Sequence, residues 1–237
     1  MKKIVYLLPA ALIMFACGSE EESQETSTDN NSNDVATDTL SVDSIATEEV
    51  AEGVFETVED YTTITSKTAL YEAFAEDDLI DGESWYAEGT VKFKTTTVNN
   101  PTNKHTVIYV WDRDNNEDLS SIEFHASVYD EGFNVTGTQE IKSTTGIYTG
   151  MPLKDLEEWN GAPFEFSGFG WDFAGGISRI EGTKIEQSPF GIRLDITYND
   201  DTYQMHDALI GDVQWMSDAP ETEGAPIHLG TITYWMP

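Results

Sequence analysis

A period-two pattern of side chains recurs along the last three quarters of this 237-residue chain and limits its fold more than any other feature. Val107, Tyr109 and Trp111 are set against Ile108 and Val110, and Ile192, Leu194, Ile196 and Tyr198 alternate with Arg193, Asp195 and Thr197. Successive side chains of a strand point to opposite faces, so such runs predict half-buried antiparallel strands. Turn residues divide the strand-like runs into 85–91 with 92–98, 105–111, 121–128, 177–185, 191–198 and 227–235.

Two stretches read as helices. Over 66–76, Ser66 can cap while Leu70, Phe74 and Ala73 form one apolar stripe. Over 152–160, Pro152 suits the first turn, and Leu153, Leu156 and Trp159 share a face. Asn160-Gly161 supplies a left-handed stop there, and Pro163 prevents resumption. Few helices and many strands predict an α+β domain, an antiparallel sheet with a few short helices on one face.

The N-terminus obeys other rules. Lys2 and Lys3 precede an apolar run from Ile4 to Ala16, too short to span a bilayer and the right size for a signal-peptide core. Phe15-Ala16-Cys17-Gly18 holds the only cysteine and resembles the lipobox of bacterial lipoproteins. The resemblance implies cleavage before Cys17, lipid attachment there, and an outer-membrane address facing the periplasm or the cell surface. The chain therefore divides into a signal peptide (1–16), a lipidated cysteine with its tether (17–58) and a globular domain (59–237). The stretch 18–58 holds twelve acidic residues, no lysine or arginine, and much Ser, Thr and Asn. It has too little apolar surface to offset its ordering entropy, which predicts a disordered, self-repelling linker. Glu20-Glu21-Glu22 resembles the acidic export signal of surface-exposed Bacteroidota lipoproteins. Asp38-Thr39-Leu40 and Asp43-Ser44-Ile45 resemble their short O-glycosylation sites.

Forty-four acidic against twelve basic residues give a formal charge of −32, and removing Lys2 and Lys3 enlarges the excess. Polyphosphates are bound by Lys and Arg displacing counterions, so no nucleic-acid partner is expected. The expected partners are the membrane, through the lipid, and an envelope protein or ligand.

The motif running from Thr145 through Gly150-Met151-Pro152 to Gly161-Ala162-Pro163-Phe164 resembles one in accessory lipoproteins of the outer-membrane protein assembly machine. It also resembles the related β-lactamase inhibitor protein fold. The resemblance implies a fold, in which a helix-plus-sheet unit is duplicated, and no functional residue. The adjoining Phe164-Glu165-Phe166-Ser167-Gly168-Phe169-Gly170-Trp171-Asp172 is similar to a signature of uncharacterised lipoproteins of the same bacterial group. Trp171 and Asp172 read either as the floor of a recognition pocket or as parts of a sharp, glycine-permitted sheet bend.

Asp112, Asp114, Asn116, Asp118 and Glu123, with Ser120, match the oxygen-ligand spacing of a calcium loop. Glu117 stands where that loop needs glycine, and the flanks read as strands. The alternative is a β-hairpin with an Asp/Asn-rich tip. Beyond possible calcium no cofactor is expected. The four histidines are scattered, and no metal-protease, nucleophile-elbow or phosphate-loop motif is present. The expectation is a non-enzymatic binding or structural role. An accessory subunit or inhibitor of an envelope enzyme or assembly complex, and a carboxylate-pair hydrolase, remain as alternatives. Cys17→Ala is expected to strand the chain unlipidated, so that it leaves the detergent phase on phase partitioning; unchanged partitioning would refute the anchor.

Overall fold

Ile122 and Phe124 point to one side of their strand, Glu123 and His125 to the other, and this division runs through the main sheet. The computed structural model describes residues 54–130, 134–171, 173–178, 181–197 and 206–236. Cys17 and Asp172 lie outside them. In chain order the helices are α1 (Val58–Tyr61), α2 (Lys67–Ala73), α3 (Leu153–Asn160) and α4 (Lys184–Gln187). The strands of the first half are β1 (Leu79–Tyr86), β2 (Val91–Asn99), β3 (Thr106–Trp111), β4 (Leu119–His125), β5 (Ser127–Tyr129) and β6 (Val135–Thr138). Those of the second are β7 (Glu165–Ser167), β8 (Phe190–Ile196), β9 (Gln214–Met216) and β10 (Ile227–Trp235).

Six strands form one antiparallel sheet in the order β1-β2-β3-β4-β10-β8. The fold class is α+β. The first half gives this sheet a meander of four strands, and the second half gives two. The pairs β5–β6 and β7–β9 are separate two-stranded ribbons.

Register sorts the side chains. Val107 pairs with Phe124, Tyr109 with Ile122, and Ile232 with Phe124, so these residues share the core face. All five are fully buried, and the helices supply the cover. Tyr61 of α1 packs edge-on against Phe124, and the Tyr109 hydroxyl donates to the Tyr61 carbonyl at 2.9 Å. Leu70 of α2 and Leu153 and Leu156 of α3 complete the same cluster. Burying a side chain of this size contributes about 1.5–3 kcal/mol.

Both helix signatures hold. Ser66 caps α2 by accepting from the Ala69 N–H, and Gly161 ends α3 in the left-handed region (φ 84°). Pro152 sits at the cap of α3 instead of inside its first turn. Residues 54–58, assigned to the tether by composition, belong to the folded domain. Val58 is fully buried, and the Phe55 ring lies 4.8 Å from that of Phe74. Among the described residues of 177–185 no strand forms: Ile177 makes one bridge to Phe166, and α4 begins at Lys184. Thr183 there accepts from the Glu186 N–H while Glu186 accepts from the Gly182 N–H, which starts a helix where alternation suggested a strand.

His105 lies at the end of this core, with Nδ1 3.3 Å from the Tyr61 hydroxyl, and burial holds its pKa below the ordinary 6.5. The unfolded chain therefore binds a proton at a pH where the folded protein does not. Stability from this group is complete above about pH 6.5 and is lost as pH falls through the lower folded value. Urea midpoints measured from pH 7.5 to 5 are expected to fall below pH 6.5. His105→Gln should flatten that part of the curve; an unchanged slope would refute the assignment.

Candidate functional site

The outward face of the main sheet is the floor of an open cleft of about 1280 Å³. Glu123 and His125 of β4, Thr231 and Thr233 of β10, and Gly191 and Arg193 of β8 form that floor. These positions alternate with core residues along their strands, with β10 changing parity at the Gly230 register shift. One wall is the β1–β2 hairpin, which brings in Trp85 and Tyr86 through a turn whose Ala87 and Glu88 adopt left-handed backbone (φ 49° and 59°). The other wall is the glycine-rich segment that carries Trp171 and Phe173.

That second wall is anchored to the sheet by backbone. The Leu194 N–H donates to the Gly175 carbonyl at 2.8 Å, and Gly176 bridges to Arg193. A Cβ on Gly175, already in the left-handed region (φ +67°), would lie 2.0 Å from the Leu194 carbonyl oxygen. Only glycine permits this approach. Arg193 Nε donates to the Ala174 carbonyl at 2.7 Å and fixes the wall from the floor side. Aromatic residues of the segment divide between two destinations. Phe164, Phe166 and Phe169 enter the core, while Trp171 and Phe173 meet edge-on at 5.3 Å on the cleft side.

Five aromatic side chains thus line the cleft, and three of them are largely exposed: Trp85 at 60%, Phe173 at 63% and Trp235 at 55%. Each has a seat. Trp235 lies directly over Gly191, where a Cβ would fall 2.0 Å from the indole. The Lys92 ammonium sits 4.8 Å from the centre of Trp85 and is itself paired with Glu83 at 2.8 Å. The Trp171 indole N–H donates to the Gly168 carbonyl at 2.8 Å.

A polar line crosses the floor beneath these rings. His125 Nε2 lies 3.0 Å from Glu123 Oε2, and His125 Nδ1 lies 3.2 Å from the Thr231 hydroxyl. Tyr86 hydrogen-bonds to Glu123 from the other side. Burial, and then the Glu123 charge, push the Tyr86 phenol far above its ordinary range. Hydroxyl, imidazole and carboxylate in sequence define the imidazole's tautomer and orientation. The same order can activate a hydroxyl as a nucleophile. Among the described lining residues, Arg193 is the one Lys or Arg, against Glu88 and Glu123.

Of the residues singled out by sequence, Trp171 lies in this cleft, on a wall and not on the floor, and Asp172 lies outside the described residues. The calcium template is not assembled. Asp112 Oδ1 accepts the N–H groups of Asp114 and Asn115, and Asn115 Nδ2 donates to Asp118 Oδ2. Asn116 takes a left-handed turn position (φ 55°). Glu117 leaves the loop to accept from the Thr68 N–H and hydroxyl at the start of α2. Glu123 is on the cleft floor with His125. Among the described residues no three Asp, Glu, His or Cys side chains are grouped so as to hold a metal ion. At the tip of the β3–β4 hairpin, one oxygen each of Asp112 and Asp118 accepts within the turn.

Sequence reasoning missed most of the cleft. One signal was available: Glu123 and His125 are two apart in a strand and must share a face. Trp85, Trp235 and Arg193 come from distant strands, and only the sheet order brings them together.

The glycines separate two kinds of close contact. Gly191→Ala meets the far end of an exposed indole, so Trp235 should swing aside at a stability cost of about 1 kcal/mol or less. Near-UV circular dichroism should then change while the melting temperature barely moves. Gly175→Ala meets backbone in a left-handed conformation and should cost upwards of about 3 kcal/mol. Equal losses in thermal melts of the two variants would contradict this geometry.

No family model, curated protein or solved structure matches this chain.

Proposed function

We propose that this chain is a lipid-anchored ligand-binding protein of the bacterial envelope. Cys17 carries the anchor, the acidic stretch after it is the linker, and the α+β domain presents its cleft to a ligand. The observation that carries this reading is the set of exposed rings on the outer sheet face. Trp85, Phe173 and Trp235 are large apolar surfaces left in water, each held in place, around polar groups that already converge. Binding sites combine apolar walls with a few placed polar groups in this way. Anchoring would confine the domain near the membrane and raise its effective concentration toward envelope ligands. Among the described residues no helix is long and apolar enough to cross a membrane.

A photoreactive phenylalanine analogue at Phe173, expressed in living cells, tests the cleft. Irradiation should give a mass-shifted adduct. The same group at Glu72, an exposed position on α2 that lines neither hollow, should not. An equal yield at both positions, or none at either, would refute a binding role for the cleft.

A further inference from the structure

We infer that the cleft binds a neutral oligosaccharide. This rests on the binding role proposed above and names the ligand class for the same site.

Size is the first argument. About 1280 Å³ exceeds the roughly 300–1,000 Å³ typical of a single small-molecule site. The cleft also continues into a second hollow of about 370 Å³ that shares His125, Arg193 and Thr231 with it. An open, continuous groove suits an extended chain of units better than one compact molecule.

Surface chemistry is the second. The exposed faces are flat and apolar, and they stand on both walls and at the floor's edge. Between them lie hydroxyl and amide groups: Thr231, Thr233, Ser167 and Gln214, whose Nε2 donates to the Ser167 hydroxyl at 2.9 Å. A ligand matching this pattern must offer apolar faces and a rim of hydroxyls at once. Pyranose rings do so: their axial C–H groups form an apolar face that stacks on an indole, and their equatorial hydroxyls point sideways to polar partners.

The direction of the floor's hydrogen bonds sharpens the match. Glu123 is an acceptor, so His125 Nε2 carries the proton toward it and Nδ1 accepts from the Thr231 hydroxyl. Thr231 therefore keeps its lone pairs for the cleft, while the guanidinium of Arg193 supplies donors. Acceptors and donors side by side fit groups that are both, and a sugar hydroxyl is both.

Charge narrows the choice further. Polyanions are disfavoured by a chain of formal charge −32 with one arginine in its cleft. A cationic ligand would need an uncommitted carboxylate among the rings. Glu123 is already engaged by Tyr86 and His125, and Glu88 stands on the outer turn. One face of Trp85 is likewise taken by Lys92. A neutral, hydroxylated chain meets none of these obstacles.

The test is isothermal titration calorimetry on the full chain, held in a detergent without a sugar headgroup. The probes are the hexasaccharides of β-1,4-glucose, α-1,4-glucose, β-1,4-xylose, β-1,4-mannose and β-1,4-N-acetylglucosamine. A hexalysine peptide serves as the cationic comparison. At least one hexasaccharide should bind saturably. Trp235→Ala should weaken it about tenfold, the scale seen when an aromatic platform under a stacked ring is removed. If Trp235→Ala fails to fold, Phe173→Ala, at the exposed rim, should give a similar loss with an unchanged melting temperature. Binding that survives both substitutions, or a preference for hexalysine, overturns the inference. If no hexasaccharide binds while the Phe173 photoadduct forms, the oligosaccharide assignment fails and the binding role stands. If the photoadduct is also missing, both fail.

Discussion

The seating of β10 between β4 and β8 is the interaction on which the remaining structure depends. It joins the meander of the first half to the strands of the second. One of its faces completes the core with Ile227, Leu229 and Ile232, and the other places Thr231, Thr233 and Trp235 on the cleft floor. Thr231 has His125 opposite it on one side and Arg193 on the other. The register toward β8 shifts between Leu229 and Thr231, at Gly230, where a Cβ would lie 2.4 Å from that of Asp195. A side chain there would push the two strands apart and cost the site its alignment as well as the core its cover. The pairing of β10 with β4 also spans about a hundred residues of chain. Such non-local closure contributes its contacts late in folding and after most of its entropy has been lost.

Legibility in the sequence tracked how local each signal was. The caps of α2 and α3 involve residues within four of each other, and both could be read directly from Ser66 and from Asn160-Gly161. Alternation in Val107–Trp111 and in Ile192–Ile196 reports on two faces of one strand, and those strands appeared where expected. The first strand was placed too late, with its turn inside it, because exposed Ile80, Asp81, Gly82 and Glu83 carry no buried stripe to mark its beginning. The 177–185 run failed for the opposite reason. It has strand-like spacing, but Gly182 and Thr183 give local helix-start hydrogen bonds that decide the matter. Spacing alone does not fix where the oxygens of the calcium template point, and Glu123 lies on the cleft floor. In a tight hairpin tip the backbone N–H groups claim them first. The cleft itself draws on six strands and a glycine-rich wall, so nothing short of the sheet order could have assembled it.

The exposed rings around that cleft differ from apolar side chains merely left over at a surface. Each of them is located by a specific neighbour: Trp235 by the bare backbone of Gly191, Trp85 by Lys92 and through it Glu83, and Phe173 by the edge of Trp171. An aromatic side chain free to collapse would bury itself against the adjoining sheet face. Here Gly191 leaves room for the far end of the Trp235 indole, and more than half of that side chain stays in water. The glycines of the 168–176 segment act similarly on the opposite wall, holding Trp171 at the cleft while their neighbours Phe166 and Phe169 fill the core.

The hydroxyl–imidazole–carboxylate line on the floor bears on whether such a site would bind or also react. The order Thr231, His125, Glu123 is the one that activates a nucleophile, yet its setting favours a fixed acceptor. Thr231 is a β-branched residue in a central strand, between two hydrogen-bonded neighbours, where its χ1 freedom is least. A nucleophile is normally exposed on a turn, beside backbone N–H groups free to receive developing negative charge. On a central strand those groups are committed to the ladder on both sides. Glu123 is shared between His125 and Tyr86, which divides its capacity to stabilise a charged imidazole. The contact to His125, itself held by Glu123, keeps Thr231 in one orientation. Recognition of a hydroxyl group, the role proposed for this floor, gains from such a fixed orientation.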